Sequence, residues 1–226
     1  MTDAAVRRAA VGQFALLAER FADLSEADFD RDTRLAPWRV RELVAHTTRN
    51  ICSVVPALSR PEPEQATVDL DDYYDKGAQM SAAIRDRAVD EARADVRWAE
   101  ELAAAVRETR EVLAAVGPDR LISVRLGAMS LDGFLVTRCV EGVVHGLDLA
   151  HALGGDPARW TTPEATEICA GQLARIGARA GVPAAVSGGS VTVGSVTVPA
   201  VAYVEWATGR TPAPHPALAG YSPVLR

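Results

Sequence analysis

Apolar residues recur at helical spacing from the start of the chain. Val6, Ala10, Phe14, Leu17 and Phe21 share one face and predict a first helix over residues 3–23. The polar stretch LSEADFDRDTRLAP interrupts the pattern, and Pro37 is placed to open a second helix at a first position, where its missing N–H is harmless. Val40, Leu43, Thr47, Ile51, Val54 and Leu58 form the inward stripe of that helix, expected over 38–58. Pro56, Pro61 and Pro63 end it and lead through an acidic linker to Asp72. From Tyr73 to Val116 there is no proline and Gly77 is the only glycine, which reads as one long helix or two in tandem, stopped by Gly117-Pro118. LISVRLGAMSLDG is partly extended, and an apolar helix follows over 131–153, closed by Gly154-Gly155.

The remainder changes character. Pro163 to Ala180 predicts a helix capped by Thr161 or Thr162. SVTVGSVTV alternates around Gly194-Ser195 and predicts a short hairpin. A final helix from Pro199 to Thr208 is stopped by Gly209, with Arg210 next. The expected architecture is mainly α: a four-helix bundle over 1–155 with one long connection, and a small C-terminal α+β unit over 156–226.

Composition narrows the class. The chain is 48% hydrophobic but only 5% aromatic, with alanine and valine making up the difference, which suits closely packed helices. A net charge of −6 and the absence of an arginine-rich run disfavour a nucleic-acid partner, which needs a concentrated basic face. Lys76 is the only lysine, as a GC-rich genome would produce. MTDAAVRRAAVGQF lacks the apolar core of a signal peptide, and no apolar run approaches the roughly 18 residues of a membrane span, so a cytoplasmic chain without a membrane partner is expected. Cys52, Cys139 and Cys169 are scattered without a CxxC and read as buried thiols.

The stretch RCVEGVVHGLDLAHALG, residues 138–154, carries the chemistry. Glu141 and His145 stand i, i+4 on one helix face, a pair that most often is simply solvated but that can also ligate a metal. His46 lies on the flank of the second helix beside Arg49 and Asn50, where periodicity alone makes it partly exposed. Two ligands from one helix and one from another is how bundles build interior metal sites, and a His/Glu/His set leaves one coordination position open. Such ligands suit Zn²⁺, with Ni²⁺ or Fe²⁺ as alternatives.

Trp38-Arg39-Val40-Arg41-Glu42-Leu43-Val44-Ala45-His46 resembles the first motif of the mycothiol-dependent maleylpyruvate isomerase family. Thr137-Arg138 through Glu141, His145, Asp148-Leu149 and Gly154 resembles its second, and the family is similar in turn to the DinB-like metal-binding four-helix bundles. The resemblance covers about residues 1–155; a shorter W-x-x-G-R at Trp206–Arg210 resembles the family tail, although 156–226 is small for its C-terminal domain. It implies His46, Glu141 and His145 as metal ligands, mycothiol as thiol cofactor and an actinobacterial source. It also implies an isomerase or S-transferase in which a metal-bound thiolate adds to a small electrophilic substrate. The other reading is a non-catalytic metal-binding bundle that takes a small ligand. Either would be a monomer or homodimer.

Around those ligands, Arg138 lies two turns before His145, either as an anchor for a carboxylate or in a salt bridge. Asp148 is placed to accept from a ligand imidazole. Arg210, after a glycine, can clamp a carboxylate of substrate or thiol cofactor, or be a surface arginine. His151 points about 120° from His145, and Cys139 about 200° from Glu141, so neither should face the metal. His215 sits in a proline-rich loop without an evident role.

Overall fold

The computed structural model describes residues 3–70, 72–74, 81–93 and 96–221. Its helices are α1 (Asp3–Ala22), α2 (Glu26–Phe29), α3 (Val40–Cys52), α4 (Val54–Leu58), α5 (Ser81–Ala92), α6 (Trp98–Ala115), α7 (Leu131–Leu153), α8 (Pro163–Arg179) and α9 (Ala200–Ala207). Two small antiparallel sheets accompany them. One is the hairpin β1 (Leu121–Val124) and β2 (Gly127–Ser130); the other is the meander β3 (Ala184–Ser187), β4 (Ser190–Val193) and β5 (Val196–Pro199). The protein is mainly α, as the sequence predicts, with a three-stranded sheet near its C-terminus where the sequence predicts a hairpin. No helix among the described residues is long and apolar enough to cross a membrane.

The bundle is built around α7. Almost every residue from Phe134 to Ala150 is buried, because α1, α3 and α8 cover its different sides and β2 leads into its first turn. A helix apolar all round has this central position as its natural place. Ser130 caps it, its Oγ accepting from Gly133 N at 3.1 Å, and Gly154 ends it in the left-handed conformation at φ 67°. α1 and α6 lie antiparallel to each other along one flank, and α3 runs between α5, α6 and α7.

The predicted second helix is divided. Pro56 has no N–H to give the carbonyl of Cys52, and its ring crowds that carbonyl, so the helix breaks at Ser53 into α3 and α4. Nor does Pro37 open α3. Residues 32–39 close on themselves through the Asp32–Arg39 bridge and a Thr33 Oγ1 bond to Trp38 O of 2.6 Å, so the helix starts at Val40. Arg39 N donates to Glu42 Oε2 at 2.8 Å across this start. Within the 73–116 stretch the described residues include α5 and α6, with Tyr73 and Tyr74 also helical, while Gly77 and residues 75–80 and 94–95 lie outside the described residues. Thr162, not Thr161, caps α8. The SVTVGSVTV hairpin is β4–β5, to which β3 adds a third strand.

α8 packs on α7 and α1, so the C-terminal elements share one apolar core with the bundle. Gln13, wholly buried on α1, ties these parts together. Its Nε2 donates to Trp160 O at 2.9 Å and Gly142 O at 3.2 Å, and its Oε1 accepts from Thr162 N at 2.8 Å. Replacing Gln13 by Leu strands the Trp160 carbonyl and the Thr162 N–H away from water. Urea denaturation should show a loss of about 2–4 kcal/mol for Gln13→Leu; an unchanged midpoint would mean that water satisfies those groups.

Candidate metal centre

His46 comes from the middle of α3, Glu141 and His145 from successive turns of α7, and the α3–α7 packing brings them together. Glu141 Oε2 lies 3.3 Å from His46 Nε2 and 3.3 Å from His145 Nε2. All three ligand atoms lie within 4.8 Å of one another. Around a tetrahedral ion with bonds of about 2.0–2.1 Å, neighbouring ligand atoms stand roughly 3.3 Å apart, a spacing that the two contacts to Glu141 match. The two imidazoles are nearly perpendicular, with centroids 4.9 Å apart, and Trp38 lies 4.9 Å from the His46 ring.

His46 is not on an exposed flank. Its side chain is 11% exposed, because α3 is enclosed by α5, α6 and α7 and not by one neighbour alone. Glu141, at 30%, is the ligand that reaches solvent. Asn50, one turn after His46, bridges the ligands: its Nδ2 is 2.9 Å from Glu141 Oε2 and 2.9 Å from His46 Nε2. Arg138 settles that orientation. A guanidinium only donates, and its Nη1 is 3.1 Å from Asn50 Oδ1, so the amide NH₂ must face the ligands. Arg138 Nη2 donates to Tyr73 Oη at 2.9 Å, and its guanidinium lies 4.6 Å from the centre of the Phe134 ring.

Asp148, with no exposed surface, lies behind His145. Its Oδ2 is 3.1 Å from His145 Nδ1, the carboxylate–imidazole contact expected of it. Arg210 grips the same carboxylate with two bonds, Nε to Oδ1 at 3.2 Å and Nη2 to Oδ2 at 3.1 Å, while Arg34 Nε reaches Oδ1 at 2.6 Å. The fork of Arg210 is thus engaged by a carboxylate of the chain itself.

These contacts set the charges. Burial opposes an imidazolium at His145, but the hydrogen bonds to Asp148 and Glu141 outweigh it and hold its pKa up at about 9. At His46 burial wins over the Glu141 contact and the pKa falls. Burial would raise Glu141 and Asp148; the histidines pull Glu141 well below its ordinary value, and His145 followed by Arg210 does the same for Asp148. The raised pKa favours the imidazolium form of His145 near neutral pH in the metal-free protein, with Glu141 at one ring nitrogen and Asp148 at the other.

Other candidates lie elsewhere. His151 is exposed and outside the cluster, and His215 caps a single turn, its Nδ1 accepting from Ala217 N at 3.1 Å. Burial pushes the Cys139 and Cys52 thiols up to about 12 and raises Cys169 as well, and no cysteine joins the ligand cluster. Sequence reasoning gave no role to Asn50, Tyr73 or Arg34. Asn50 carried a signal in its i+4 spacing from His46; Arg34, in a loop, carried none.

The profile of the Mycothiol maleylpyruvate isomerase N-terminal domain matches residues 12–150, more than half of the chain and all three ligand positions. No curated protein and no solved structure matches.

The charge pattern has a measurable consequence. In the metal-free protein the His145 ring should titrate near 9 by NMR and that of His46 below its ordinary 6.5. Because the folded pKa of His145 is raised, its contribution to stability is complete below about 6.5 and is lost as pH rises through about 9. A His145 midpoint at or below 6.5 would contradict the Asp148–His145–Glu141 arrangement.

Proposed function

The chain belongs to the mycothiol maleylpyruvate isomerase N-terminal domain family, and we propose that it is a metal- and mycothiol-dependent enzyme. In this reading His46, Glu141 and His145 hold one divalent ion, zinc, and the protein acts on a small electrophilic substrate as an isomerase of the maleylpyruvate type or as a thiol S-transferase. The observation that carries it is the convergence of two imidazole nitrogens and one carboxylate oxygen on a point beside solvent-reaching Glu141. When bound, the ion supplies Lewis acidity that makes a thiol in its open position a thiolate near neutral pH.

The chain's own residues have distinct tasks. His46 and His145 present neutral nitrogens once His145 gives up its proton, and Glu141 supplies the negative charge. Asn50 holds the ligating oxygen of Glu141 from the side, and Arg138 keeps Asn50 from turning over. Buried thiols with raised pKa values make poor nucleophiles, which favours a thiol supplied from solution over a protein cysteine.

Elemental analysis should find about one zinc per wild-type chain and little in His145→Ala or Glu141→Ala. Mycothiol offered with a cis-unsaturated diacid or a chloro-substituted aromatic should give isomer or adduct by mass spectrometry, and the three ligand variants should lose that turnover. Metal binding without thiol binding or turnover would assign the site to a non-catalytic ligand-binding bundle. A wild-type protein that stays empty in zinc, nickel and iron would overturn the metal reading.

A further inference from the structure

We infer that Arg210 and Arg34 are positioning residues for His145, acting through the buried carboxylate of Asp148; the inference rests on the proposed metal site for its functional meaning. Arg210 sits after the last helix and Arg34 in the loop before α3, yet both converge on Asp148 within hydrogen-bond distance. The two guanidiniums take both lone-pair directions of Oδ1 and one of Oδ2. What remains on Oδ2 faces His145 Nδ1 at 3.1 Å. A carboxylate held at three points cannot rotate about its Cβ–Cγ bond, so the imidazole must donate from Nδ1 and turn Nε2 toward Glu141 and His46.

The clamp is itself braced. Arg210 Nη1 donates to Thr208 O at 2.8 Å, and its backbone N–H donates to Glu205 O at 2.7 Å across the turn that Gly209 makes at φ 72°. Arg34 Nη1 bonds Glu205 Oε1 at 2.9 Å. Thr208, Glu205 and Arg210 all come from α9 and the turn after it, so the C-terminal elements set the orientation of a ligand on α7. A cavity of about 390 Å³ lies outside the pair, against Arg34, Leu35, Thr208, Gly209 and Arg210. Shortening either arginine therefore opens toward that cavity and does not leave a sealed void.

The test uses the full-length protein and Co²⁺ as the probe, with chelator competition for affinity and the visible spectrum for ligand geometry. Arg210→Ala and Asp148→Asn should each weaken Co²⁺ binding by about 10- to 100-fold and alter the spectrum. Arg210→Lys keeps the charge but cannot span both oxygens, and should fall between these variants and the wild type. Arg34→Gln should weaken binding less than Arg210→Ala, because a bidentate grip remains. Arg7→Gln is the comparison for folding alone. It breaks the 2.9 Å pair with Asp132 in the first turn of α7, and should lower the melting temperature while leaving Co²⁺ affinity unchanged. In the metal-free protein, the His145 Nδ1 proton should give a slowly exchanging downfield ring signal that Arg210→Ala abolishes. Wild-type affinity and ring signal in Arg210→Ala and Asp148→Asn, or losses no greater than those of Arg7→Gln, would overturn the inference. A wild type that takes no Co²⁺ while its ring signal still depends on Arg210 would sink the metal reading and uphold the positioning role.

Discussion

A carboxylate removed from water must be surrounded by donors if it is to stay ionised, and Asp148 satisfies that requirement with two guanidiniums and an imidazole. Much of the molecule follows from it. The loop before α3 is drawn against the bundle because Arg34 must reach Asp148. The turn after α9 is drawn in from the other side for the same reason, and Glu205 offsets part of the positive charge gathered there. Breaking one such contact would leave a charge stranded in the interior, at a cost of about 3–5 kcal/mol.

A second polar chain runs on the other side of the ligands, from Tyr73 through Arg138 and Asn50 to Glu141 and His46. The two networks share a logic. In each, an arginine that can only donate fixes the orientation of a group with two possible faces, the Asn50 amide in one case and the Asp148 carboxylate in the other. Arginine suits this because its planar fork holds an angle that a lysine ammonium would leave free. The three donor atoms are therefore ordered by neighbours on both flanks.

α1 was legible from its single apolar face, α7 from its apolar run and closing glycines and α8 from its threonine cap, and Glu141 and His145 were readable as neighbours one turn apart. Asp148 was readable for the same local reason. His46 was misjudged by periodicity, because a stripe assumes one buried side and α3 has three packed neighbours. The break at Ser53 was implicit in Pro56, whose effect falls four residues upstream, whereas the closed loop over 32–39 depended on a bridge between residues that no local pattern links. Arg34 and Arg210 stand far apart in the chain, and neither position announces a shared partner. Resemblance to the family motifs supplied what spacing left open, namely that a histidine on α3 belongs with a pair on α7, but it gave no account of Arg34.

Gly146, next to His145, lies so close to the connection after α7 that a β-carbon there would sit 2.6 Å from the Trp160 carbonyl oxygen. Gly142, one turn earlier, meets Gln13 at 3.1 Å in the same sense. Two hydrogen atoms thus fill the space where side chains would otherwise stand, and α7 is seated like a keyed shaft. Turning it by one residue would drive Leu147 into the Trp160 carbonyl and Val143 into the Gln13 side chain, which opposes rotation of the helix that carries Glu141 and His145. His145 therefore presents its imidazole from a helix whose axial orientation is set by the chain packed behind it.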